Sequence, residues 1–69
     1  MTVKELFEAE KITESNLWDI QDESPYWETA GLFVLDNWNF NIEMMSAKQA
    51  AWLNKIHEEM TERRIEGKL

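Results

Sequence analysis

The sequence predicts an all-α fold of three or four short helices, on two observations. Helix-opening signals recur along the chain: Thr2-Val3-Lys4-Glu5, Ser24-Pro25 and Ser46-Ala47-Lys48-Gln49 each put a capping residue where a helix would begin. Behind the last two, apolar residues return at three- and four-residue spacing. No linker, internal repeat or low-complexity stretch interrupts the chain. Residues 1–69 therefore read as one small domain, with an acidic, aromatic N-terminal segment (1–23) and a C-terminal helical hairpin (24–66).

The first element follows from Thr2, whose hydroxyl can cap a short helix running to Lys11 with Val3, Leu6, Phe7 and Glu10 on its turns. Thr13 or Ser15 then caps a further turn carrying Leu17, Trp18 and Ile20, and Asp22-Glu23 ends it. Ser24 as N-cap and Pro25 at the first helical position open a helix from 25 to about 38, because proline there gives up an N–H that has no helical partner. Its apolar stripe is Trp27, Ala30, Val34 and Trp38, with Tyr26 and Phe33 beside it. A hairpin competes for residues 32–43, which would make the fold α+β: Leu32–Leu35, a turn at Asp36-Asn37, then Trp38, Phe40 and Ile42 alternating with Asn39, Asn41 and Glu43. The helix is preferred because the first strand would be short, with Val34 its one β-branched residue.

The last element is the clearest. Ser46 and Gln49 form a capping box, and Met45 before it can staple onto Ala50. Gln49, Ala50, Trp52, Leu53, Ile56 and Met60 recur at helical spacing, while Lys48, Lys55, Glu58, Glu59, Glu62 and Arg63 fill the other face. Arg63 and Arg64 suit the negative end of the helix dipole and Gly67 is a natural stop, so a helix over about 47–65 is expected.

Composition narrows the function. A chain of 69 residues has a small core, and without cysteine neither disulfides nor thiolate zinc sites can reinforce it. Dense aromatic packing, self-association or a partner remains. Four tryptophans, Trp18, Trp27, Trp38 and Trp52, supply large apolar area with one N–H each. The charge is uneven: residues 1–43 hold ten acids against Lys4 and Lys11, a balance of −8, whereas residues 44–69 hold four acids and five bases. A net charge of −7 opposes direct binding to nucleic acid or to anionic membranes. There is no signal-like stretch and no apolar run near ~18 residues, so a cytoplasmic protein is expected.

Catalytic patterns are missing. His57-Glu58 lacks the second histidine of a metalloprotease helix, Thr61 standing in its place, and His57 reads as a surface residue beside carboxylates. Carboxylate pairs such as Asp22-Glu23, Glu58-Glu59 and Glu5 with Glu8 read as solvated helix faces, since acid–base work needs two unlike environments in a cleft. No calcium loop or phosphate-binding glycine loop occurs, and no serine or threonine has a base partner visible in sequence. No enzyme, metal or cofactor is expected.

The stretch Trp27–Met60, about half the chain, resembles a helical hairpin found in small phage-encoded accessory proteins. The residues that carry the likeness are the Ser46-Ala47-Lys48-Gln49 start and the Trp52-Leu53 pair, with Met45 where that pattern more often has leucine. The resemblance implies a phage-type origin near nucleic-acid-handling systems, in the host cytoplasm, and brings no catalytic residue.

The leading expectation is a small acidic protein that inhibits or modulates a host protein, placing carboxylates where a nucleic-acid-binding surface expects phosphates. Glu5, Glu8, Asp19, Asp22, Glu23, Glu28 and Asp36 would supply the charge, and Trp18 and Trp27 the apolar anchors. The expected partner is thus another protein, a nucleic-acid-binding one in the host. Two other classes compete: a self-assembling helical subunit, forming a homodimer through its tryptophan faces, and a helix–turn–helix regulator using Lys48, Lys55, Arg63, Arg64 and Lys68.

Overall fold

The computed structural model describes residues 1–23 and 25–69, with the side chains of Pro25 and Tyr26 left aside. Among the described residues the fold is all-α: α1 (Val3–Ala9), α2 (Glu14–Gln21), α3 (Pro25–Asp36), a 3-10 turn (Ile42–Met44) and α4 (Ala47–Ile65), with no strand. The Cα radius of gyration is 11.2 Å, close to the value of about 11 Å for a compact chain this long.

Three of the helices, α1, α2 and α4, begin on a side-chain cap. Thr2 Oγ1 accepts from the Glu5 N–H at 3.2 Å, though the Glu5 carboxylate does not close the box. Thr13, rather than Ser15, caps α2, because Asn16 completes a reciprocal pair: Asn16 N–H donates to Thr13 Oγ1 at 3.2 Å, and Asn16 Oδ1 accepts from Thr13 N–H at 2.9 Å. Ser46 and Gln49 make the expected box on α4 at 3.2 and 3.1 Å. The expected Ser24 cap lies outside the described residues.

The stops fall earlier than expected for α1 and α3. α1 ends at Ala9 instead of continuing to Lys11, because Lys11 turns left-handed at φ 59°. The Ile12 N–H then donates to Phe7 O and the Lys11 N–H to Glu8 O, which is the Schellman pattern, with Ile12 and Phe7 both buried across it. α4 closes the same way on Gly67 at φ 75°, with Lys68 N–H on Arg63 O and Gly67 N–H on Arg64 O. α3 stops at Asp36, two residues short of Trp38, where the Asn37 side-chain amide donates to Phe33 O at 2.8 Å.

That early stop has a tertiary use. The freed Trp38 and Phe40 carbonyls accept from the Lys4 and Val3 N–H groups at 2.7 and 3.1 Å, satisfying donors that the start of α1 leaves open. The hairpin weighed for residues 32–43 does not form. What remains of its alternation is one antiparallel bridge, Thr2 to Asn41, after which Asn41 caps the 3-10 turn through Glu43 N–H at 3.1 Å.

Val3, Phe7, Ile12, Leu17, Ile20, Trp27, Ala30, Val34, Leu53, Ile56 and Met60 make one core. α4 lies between two neighbours. On one flank the Phe7 ring of α1 meets His57 edge-to-face at 5.4 Å. On the other, α3 runs antiparallel to α4, since Phe33 stacks on Trp52 near one end (4.6 Å) while Arg63 covers Trp27 near the other (5.1 Å). α2 packs on α3, with Gly31 set against Leu17 and Gln21. Trp52, expected in the core, is half-buried, and Gln49 is exposed at its cap rather than part of the apolar stripe.

Candidate functional site

The acids predicted to meet a partner are spread over three helices rather than gathered in a cleft. Glu5 and Glu8 are exposed on α1, Glu8 lying 4.0 Å from Lys4 Nζ. Asp19, Asp22 and Glu23 are exposed on the outer face and end of α2, and Glu28 and Asp36 are exposed at the two ends of α3. Glu23 is paired with Arg63 at 3.0 Å, whereas Asp19, Asp22, Glu28 and Asp36 enter no ion pair among the described residues.

Helix polarity divides these acids into two kinds. Glu5, Glu14 and Glu28 stand in first turns, where the positive end of the helix dipole favours a carboxylate, so each serves its own helix. Asp22 is the C-cap of α2 and Asp36 the last residue of α3, and neither helix has a basic residue in its last turn. There the dipole opposes a negative charge. Among the described residues no ion pair of either side chain offsets that cost.

The tryptophans separate as well. Trp18 is 45% exposed on α2, and its Nε1–H reaches Glu14 Oε1 at 3.4 Å. Glu14, Trp18 and Asp22 follow one another at four-residue spacing, so the indole lies along a stripe with a carboxylate one turn to either side. Trp27, expected as a second anchor, is only 4% exposed: it is core, roofed by the Arg63 guanidinium, and shows a partner little of its ring.

Two shallow grooves were not anticipated from sequence. One, of about 260 Å³, is lined by Trp27, Glu59, Glu62, Arg63 and Glu66; the other, of about 330 Å³, by Glu10, His57, Glu58, Thr61 and Glu62. They flank α4 with Glu62 between them. The stripe of Glu59, Glu62 and Glu66 at three- and four-residue spacing was the available signal, and it reads as an ordinary solvated face until Trp27 and Glu10 are placed beside it. The two arginines near the end of α4 are turned aside, Arg63 to Glu23 at 3.0 Å and Arg64 to Glu10 at 3.1 Å. Lys68 draws the exposed Glu66 carboxyl below its ordinary range, by a hydrogen bond and by charge.

His57 departs from the surface residue expected: it is half-buried, with Nε2 enclosed and without a hydrogen-bond partner among the described residues. No group of three or more His, Asp or Glu side chains among those residues is arranged to hold a metal ion. Nor is any helix long and apolar enough to cross a membrane. Comparison with protein-family models, curated proteins and solved structures finds no match to this chain.

Proposed function

We propose that this chain is a small acidic, non-enzymatic binding protein of the phage-encoded type, acting in the host cytoplasm to inhibit or modulate a nucleic-acid-binding host protein. The observation that carries the reading is the placement of Asp22 and Asp36, exposed at helix C-termini that disfavour them and in no ion pair among the described residues. Groups kept against the interest of the fold point to work done elsewhere. Trp18, framed by Glu14 and Asp22, adds an aromatic anchor to the same surface. The helix–turn–helix alternative loses support because Arg63 and Arg64 are already paired with acids.

The test is competition. The immobilised chain is used to capture a partner from nuclease-treated host lysate, and the captured protein's own nucleic-acid binding is then measured with and without the chain. The expected result is displacement of the nucleic acid, weakening steeply between about 50 and 200 mM salt. A captured protein that keeps its nucleic acid, or a complex indifferent to salt, refutes the reading.

Self-assembly is favoured by a different observation. The hydrogen bonds Val3 N–H to Phe40 O and Ile42 N–H to Met1 O join the start of the chain to the segment before α4, and Met1, Phe40 and Met44 (72% exposed) are left facing water. Light scattering at micromolar concentration decides it, a strict monomer excluding the assembly.

A further inference from the structure

We draw no further inference here: the strongest candidate, the surface patch of exposed apolar side chains Met1, Phe40 and Met44 where the start of the chain meets the segment before α4, carries nothing because nothing in the structure shows what covers it.

Discussion

Lys11 is the position where the fold holds a residue against its own preference. Its φ of 59° lies in the left-handed region, where an L side chain costs roughly 1–2 kcal/mol. The Schellman pattern requires that conformation, because only then do the Ile12 and Lys11 N–H groups reach Phe7 O and Glu8 O at 3.0 and 2.9 Å. Lys11→Gly removes the penalty and adds roughly 0.5–1 kcal/mol of backbone entropy to the unfolded chain, leaving a net gain of about 0.5–1 kcal/mol. The Lys11 side chain is exposed and unpaired among the described residues, so little else is lost. Lys11→Ala is the necessary control: it removes the same charge and keeps the strain. Glycine should therefore exceed alanine by about 0.5–1 kcal/mol, or roughly 2–8 °C in Tm for a domain of this size. Urea and thermal unfolding followed by far-UV CD measure it, with the midpoint moving at constant m. If alanine equals or exceeds glycine, Lys11 is not left-handed in solution and the account of the α1 stop is wrong.

Four further outcomes follow from the geometry. Gly31→Ala should stabilise by about 0.5–1 kcal/mol in the same unfolding assay, since helix propensity favours alanine and the new methyl would meet Gln21 Oε1 at 3.8 Å and Leu17 O at 3.9 Å, ordinary contact; a loss would show that α2 and α3 pack closer than described. Ser46→Ala should cost about 1 kcal/mol by removing the acceptor for Gln49 N–H, and Ser46→Asp should restore most of it. Asp22→Asn and Asp36→Asn should each raise stability by about 0.3–1 kcal/mol while weakening the partner complex, and variants that gain stability yet bind normally would remove these acids from the interface. Glu66 should titrate below the ordinary value of a glutamate by NMR, and Lys68→Met should bring its midpoint back up. Because the folded value is lowered, the pair's contribution is present above the ordinary carboxylate range and fades as pH falls through the Glu66 midpoint.

Much of the helix content was legible because capping is local chemistry. Ser46 with Gln49 and Thr2 with Glu5 lie within a turn of each other, so their hydrogen bonds follow from adjacency, and α4 runs from Ala47 to Ile65 as the spacing predicts. The hairpin alternative at 32–43 was a real ambiguity, since Trp38, Phe40 and Ile42 do alternate with polar residues. It was resolved outside that segment, by the start of α1, whose open N–H groups claim the Trp38 and Phe40 carbonyls. The candidate site was less legible. Exposure of Asp19, Asp22 and Asp36 agrees with their charge, but one tryptophan ring looks like another in sequence, and Trp27 entered the core while Trp18 stayed out.

By itself, then, the sequence determined what depends on neighbours within a turn or two: the all-α class, the caps of α1 and α4, the span of α4 and the excess of acids before residue 44. Tertiary structure decided what depends on residues distant in the chain. It stopped α3 at Asp36 and buried Trp27 beneath Arg63. By pairing Arg63 with Glu23 and Arg64 with Glu10, across 40 and 54 residues, it tied the end of α4 to the segments that follow α2 and α1. A local pattern states which charges a helix carries, whereas only packing states which of them are neutralised before a partner arrives.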